Sequence, residues 1–410
     1  MSEGKPAVTA QQRRGAVSLL LAMVLLGVFP LDVLLPSFPA MAEHFRSSPA
    51  DIALSISLFA VGIAFAQLLI GPLSDVIGRK GLLLAGMAVS MLGALGCTLS
   101  SDYSLFLFFR LVQALGCGCF VLSQALVQDL FEGEERDRLR ILMVTATGIF
   151  ISVSPLAGTF LQASLGWRGS FWVFAALAAA VLIKAWRFLD SGRPVASGSP
   201  VQFFNAYRRV LGDRDFVGLW LISAFAFACH FSFIVISPLI FMNQLQLSPY
   251  DFSMILLIYG AAYVVGGIVA TVLSRRITPG QQIITGLSLI LLSGLAMLTL
   301  STNVELSAIT VLIPMLICTA GTTIARPAAT SRAMGLFADM AGTSASAGST
   351  IIFICGGLIS ALISLSPANL QSMLGYCFVL LSGVALVLNS RISARARNLE
   401  AAIILRPGAD

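Results

Sequence analysis

The sequence predicts an all-α polytopic membrane protein: twelve transmembrane helices in two six-helix, pseudo-symmetric bundles. Three observations carry that expectation. Hydrophobic residues fill 57% of the 410 positions and charged residues only 11%, against about 25% charged in an ordinary soluble domain. Apolar runs long enough to cross a bilayer, about 20 residues each, recur along the whole chain. The longest polar interruption falls near the middle and leaves six runs on either side. The 36 glycines suit close helix packing in lipid, where small residues let backbones approach.

The first run, near 17–39, holds a single carboxylate, Asp32, in Phe29-Pro30-Leu31-Asp32-Val33-Leu34-Leu35-Pro36. An acid in a segment that crosses hydrocarbon costs roughly 3 kcal/mol on insertion scales. Such a residue faces a polar cavity, finds a partner or takes up a proton; the bland alternative is a side chain reaching the headgroups. The place of Asp32 about two-thirds along the run, between prolines, favours the cavity. This run is too long for a cleaved signal peptide and continues through Pro36 and Pro39 without a small-residue cleavage site, so it reads as a retained span.

Further spans are expected near 51–72, 81–100, 104–128, 141–163 and 168–189, then near 216–242, 252–273, 282–300, 306–326, 343–365 and 370–389. Residues 1–190 form the first bundle and 216–390 the second. Between them, 191–215 read as a linker: Ser197 to Pro200 flexible, Val201 to Leu211 a short amphipathic helix on the membrane surface. Residues 391–410 form a tail. Two such halves suit a transporter with its site at their interface.

Charge predicts orientation. Of 25 Lys and Arg, 22 fall in the N-terminus, the C-terminus or the connections after even-numbered spans, counting Lys184, Arg187 and Arg326 at the ends of spans 6 and 10. Arg46 and Arg168 lie on the other side, and Arg110 is in or at the edge of span 4. By the positive-inside rule both termini are cytoplasmic. The net charge of +6 is dispersed among loops and tails, which argues against nucleic-acid binding. The seven cysteines fall in predicted spans, their number is odd and no spacing resembles a metal site, so they read as packing residues. No phosphate loop, His-x-x-x-His pair or nucleophile elbow points to an enzyme. No cofactor or metal is expected.

The loop after span 2 reads Gly71-Pro72-Leu73-Ser74-Asp75-Val76-Ile77-Gly78-Arg79-Lys80. It closely resembles the cytoplasmic signature of the major facilitator superfamily. Gly71, Leu73, Asp75, Gly78, Arg79 and Lys80 match; Val76 replaces the usual basic residue. The resemblance implies a cytoplasmic gate. Residues 31–36 resemble the first-span motif of twelve-helix drug:proton antiporters, with Asp32 and Pro36 matching and Val33 and Leu34 replacing Met and Tyr. Arg110-Leu111-Val112-Gln113 resembles their Arg-x-x-Gln pattern in span 4, which implies proton coupling; interfacial anchoring by snorkelling is the alternative. Gly148, Pro155 and Gly158 resemble their antiporter motif in span 5, with Ser154 and Thr159 in place of glycines. Proline bends the helix there, as a seal between halves or as ordinary tight packing.

Gly342-Thr343-Ser344-Ala345-Ser346 resembles a stretch of Bcr/CflA-type exporters, and Arg326-Pro327-Ala328 stands where those proteins often carry Pro-Asn-Ala. The resemblance implies a proton-coupled exporter, or antiporter, of drugs or metabolites such as amphenicol-like compounds, working by alternating access in a bacterial inner membrane. An exporter of siderophores or nucleoside-like metabolites, an importer and a passive channel are the alternatives. The expected partners are a small-molecule substrate, protons and membrane lipid, and the chain is expected to be a monomer. Gln67, Gln113 and Gln124 line a cavity or bond between helices. His230 packs or titrates, and Phe225, Phe227, Phe231 and Phe233 form a cavity wall or a lipid face.

Overall fold

The computed structural model describes residues 10–131, 133–189, 200–337, 340–366 and 369–404. All regular structure among them is helical, and twelve helical segments are long and apolar enough to cross a membrane. In the first half these are α1 (Ala10–Asp32) with α2 (Phe38–Phe45), α3 (Pro49–Ile77), α4 (Arg79–Leu99), α5 (Tyr103–Cys117) with α6 (Leu122–Leu130), α7 (Gly133–Leu165) and α8 (Arg168–Phe188). After α9 (Pro200–Gly212), the second half contains α10 (Arg214–Pro238), α11 (Pro249–Leu273), α12 (Pro279–Asn303), α13 (Ala308–Leu336), α14 (Ala341–Ser364) and α15 (Leu370–Ile404).

The internal repeat is written in helix starts. Ser48 caps α3 and Ser248 caps α11, each accepting from an aspartate N–H three residues on, with proline at the first helical position. Arg46 and Gln246, two residues before each cap, are the non-glycine residues with positive φ (50° and 54°) among those described. A shift of 200 positions therefore superposes the entry to span 2 on the entry to span 8. Glycine contacts repeat as well: Gly86 lies against Gly116 in the α4–α5 pair, and Gly286 against Gly321 in the α12–α13 pair, both too close for an added Cβ. Helix axes can approach that closely only without side chains between them.

The halves meet through α3 with α14 and through α7 with α11, two pairs that the repeat interchanges. Along the first pair, Ser57 bonds Ser360 at 2.8 Å, Thr350 donates to the Ala64 carbonyl at 3.3 Å, and Ser346 donates to the Gln67 carbonyl at 2.9 Å. The second pair is joined where Thr159 meets Ser253 at 2.6 Å and Ser253 donates to the Pro155 carbonyl at 3.0 Å.

Three sequence expectations change. The helix expected on the membrane surface is docked on protein: Tyr207 of α9 shares its hydroxyl between the Leu68 carbonyl of one half and Ser346 Oγ of the other. Val210 of α9 is buried as well, whereas Phe204 stays exposed. The last helix continues well past 389 to Ile404, and Arg395 pairs with Asp215 at 2.9 Å. Arg326, counted with a connecting loop, lies inside α13, which runs ten residues beyond it. Pro327 is tolerated there, so the helix does not stop where the sequence pattern suggested.

Candidate functional site

Asp32 closes α1 at a break in span 1. Pro36 has no N–H to continue the helical ladder, and the chain passes through a short 3-10 turn, Leu35–Ser37, before α2. Asp32 is 8% exposed, and its carboxylate makes no hydrogen bond or ion pair with a described residue. Gly158 holds α7 against this break: a methyl group there would overlap the Val33 carbonyl oxygen. Pro155 and Gly158 thus lie at the meeting of α7, span 1 and α11. Gly148, farther along α7, only touches Val264.

Arg110 sits on the buried face of α5, 1% exposed, so it is not an interfacial anchor. Its guanidinium donates to Gln113 Oε1 at 2.7 Å and to the Pro30 carbonyl at 3.0 Å, and lies 4.0 Å from the centre of the Phe59 ring. A charge-assisted bond to a carbonyl in a dry site contributes about 1.5–3 kcal/mol, enough to hold the broken span in place. No ion pair joins Arg110 to Asp32; the arginine fixes the acid's backbone two residues away. A cleft beside it is lined by Phe29, Pro30, Leu34, Gln113, Ser170, Phe171 and Phe174.

Across the interface, α10, α11 and α13 face this region with an aromatic cluster. His230 Nδ1 is hydrogen-bonded to the Tyr259 hydroxyl, and its ring lies 5.4 Å from both the Tyr259 and Tyr263 rings. The turn that follows Asp32 packs on α10 and α11, the helices that carry His230, Tyr259 and Tyr263. Arg326 lies over Phe227, 4.9 Å from the ring centre, and Phe227 stacks on Phe231 at 5.2 Å. Tyr259, His230 and Phe231 are buried, whereas Arg326, Phe227 and Tyr263 are only partly buried. The cluster therefore has a closed floor and a more open side.

Arg326 has no hydrogen bond or ion pair to a described residue. A cation–π contact supplies about 1–2 kcal/mol when desolvated, less than the roughly 3 kcal/mol insertion cost of a central arginine. Tyr259 and Tyr263 escaped the sequence reading, and Arg326 entered it only as a departure from Pro-Asn-Ala, not as a site residue. The signal was present as a basic residue followed by proline within an apolar run, and as tyrosines spaced four apart on one helix face.

The other candidates divide. The Gln67 carboxamide oxygen is buried without a partner, as is Gln113 Nε2. Gly71 packs against Ser346 across the α3–α14 contact. Gly78, with φ 96°, turns the chain between α3 and α4, and Arg79 and Lys80 open α4. The side chains of Asp75 and Gln124 lie outside the described residues. Phe233 points into the core, 5.0 Å from the Tyr259 ring, and is no lipid contact.

Residues 19–362 match the family model described as Major Facilitator Superfamily. The chain is 28% identical over 270 residues to an uncharacterized MFS-type transporter, YdgK, of Bacillus subtilis, covering 64% of this chain and 66% of that one. It is 27% identical over 337 residues to the multidrug resistance protein MdtL of Escherichia fergusonii, 82% of this chain and 84% of the relative. An Escherichia coli O157:H7 MdtL matches at 27% over 356 residues, 85% and 89% of the two chains.

Proposed function

Because this chain belongs to the major facilitator superfamily, a family of transporters and not of enzymes, we propose that it is a proton-coupled exporter of drug-like small molecules. The observation that carries the reading is Asp32: a buried acid without a partner among the described residues, at a helix break that packs on α10 and α11 of the other half. An acid so placed can exchange a proton for a substrate. In the deprotonated state it favours a cationic group of the substrate; a proton arriving from outside displaces that group and resets the carrier. Rocking of the halves about α3–α14 and α7–α11 alternates access to the site between them. Arg110 keeps the span-1 break in register while this happens, and Pro155 and Gly158 limit leakage beside it. The multidrug-resistance relatives and the Gly342–Ser346 stretch support a Bcr/CflA-like exporter in a bacterial inner membrane, with the termini, α9 and the 71–80 loop on the cytoplasmic side.

Transport in proteoliposomes with an imposed pH gradient, across a panel of lipophilic and amphenicol-like compounds, tests this reading. Gradient-driven uptake into inside-out vesicles is expected for the wild type and none for Asp32→Asn, with the variant inserted and folded. Wild-type gradient dependence in that variant would remove Asp32 as the carrier. Gradient-independent flux would make the protein a channel. Single-cysteine labelling at Ser197 in a cysteine-free background checks orientation: labelling in intact cells would reverse it.

A further inference from the structure

We propose that the interface site takes aromatic zwitterions, with Arg326 recognising the anionic group, the Phe227 and Tyr263 rings flanking the body, and the cationic end directed to Asp32. The first two contacts stand on the C-terminal half alone; the third rests on the exporter reading above.

The geometry is specific to this half. Arg326 projects from the interior of a membrane-spanning helix onto Phe227 at 4.9 Å, and no described carboxylate, carbonyl or hydroxyl accepts from it. Its neighbour His230 is already committed to the Tyr259 hydroxyl. A guanidinium presents five donors in a planar fork suited to a carboxylate or phosphate, so the cation that the fold leaves unmatched is matched by a substrate anion. The ring walls come from separate helices: Phe227 from α10, backed by Phe231 at 5.2 Å and Phe353 at 5.5 Å, and Tyr263 from α11. Those rings favour a flat, aromatic body over a flexible chain.

Charge of both signs follows from the layout. The turn Leu35–Ser37 just after Asp32 packs on α10 and α11, the helices that carry the Tyr259–His230 bond and the Phe227 ring under Arg326. An acid in one half and a base in the other, neither with a hydrogen-bond or ion-pair partner among the described residues, therefore lie on elements that meet at the interface. A purely cationic ligand would meet Arg326 unfavourably, and a purely anionic one would meet Asp32. A compound carrying both charges at the ends of an aromatic body satisfies each.

A matched pair of dyes tests this: a rhodamine free acid, which carries an aromatic cation and a carboxylate, and its methyl ester, which carries the cation alone. Equilibrium fluorescence polarisation with the full-length purified chain in lipid nanodiscs needs no gradient, so it reads charge selection apart from coupling. The free acid is expected to bind at least about tenfold tighter than the ester, the scale of one charge-assisted hydrogen bond. Arg326→Gln is expected to reduce that preference to about twofold or less, weakening the free acid and strengthening the ester. Equal affinity for the two dyes, or no binding of the free acid up to its solubility, overturns the proposal on the wild type alone, even if the variant fails to fold. An unaltered preference in a folded Arg326→Gln protein also overturns it. Loss of gradient-driven transport with the acid preference retained would instead count against the exporter reading.

Discussion

The two halves share one helical plan yet place their charges differently. A shift of 200 positions carries Ser48, Pro49 and Asp51 onto Ser248, Pro249 and Asp251, and the same shift sets Asp32 opposite Ser232, Pro30 opposite His230, and Phe59 opposite Tyr259. In the first half the Phe59 ring supports Arg110, which holds the Pro30 carbonyl. In the second, Tyr259 bonds the side chain of His230 and no arginine intervenes. Counted from the caps Asp102 and Ser307, Arg110 occupies the place of Met315, while Arg326 occupies that of Val121. The two arginines thus differ in depth by roughly 16 Å at 1.5 Å per residue. One half uses its arginine to lock a broken span beside an acid; the other leaves its arginine unsatisfied among rings. The halves repeat one scaffold and carry different chemistry.

The largest effect should come from exchanging the paired positions. Asp32→Ser combined with Ser232→Asp keeps the acid count but moves it to a span without a locked break. Gradient-driven transport is expected to stay at the no-gradient level in the proteoliposome assay; restored coupling would mean that the halves are interchangeable after all.

Next, the arginines should respond with opposite signs. Arg110→Gln removes a buried bond to Pro30 and leaves that carbonyl unmatched, a loss of about 2–3 kcal/mol. Arg326→Gln removes a charge with no hydrogen-bond or ion-pair partner among the described residues and should leave thermal stability unchanged or raise it by about 1 kcal/mol. Unfolding of the purified variants in detergent measures both, and destabilisation of equal size would erase the distinction.

Within the span-5 motif, Gly158→Ala is expected to cost about 1–3 kcal/mol because the methyl overlaps the Val33 carbonyl, with a matching fall in unfolding temperature. Gly148→Ala, where the new methyl would meet Val264 at ordinary contact distance, should change stability by less than about 0.5 kcal/mol. Similar losses at both sites would show that the motif acts through helix bending alone.

Across the interface, Tyr207→Phe removes the hydroxyl that α9 shares with both halves. A bond of about 1 kcal/mol that differs between two conformers shifts their ratio about fivefold. Cross-linking yield between cysteines at Gln67 and Ser346 should change by that order. The smallest effect is expected for Ser57 with Ser360, whose double-alanine cycle should give a coupling near 0.6 kcal/mol, the average for such bonds in membranes.

The twelve-span, two-half architecture was legible in the residues alone, since each span must be apolar over a bilayer's thickness and satisfy its own backbone. So was Asp32, because a carboxylate stands out against an apolar run whatever surrounds it. Partnership was decided by the tertiary structure. That Arg110 serves the Pro30 carbonyl and not the acid, that Gly158 abuts the span-1 break, and that Tyr207 ties the halves together all depend on residues far apart in the chain. Arg326 shows why: read locally, a basic residue near the end of an apolar run is a loop boundary, and only the packing of α10 and α11 beside α13 makes it an interior charge. Hydrophobicity acts on each segment alone, whereas the satisfaction of a buried polar group is a property of several helices together.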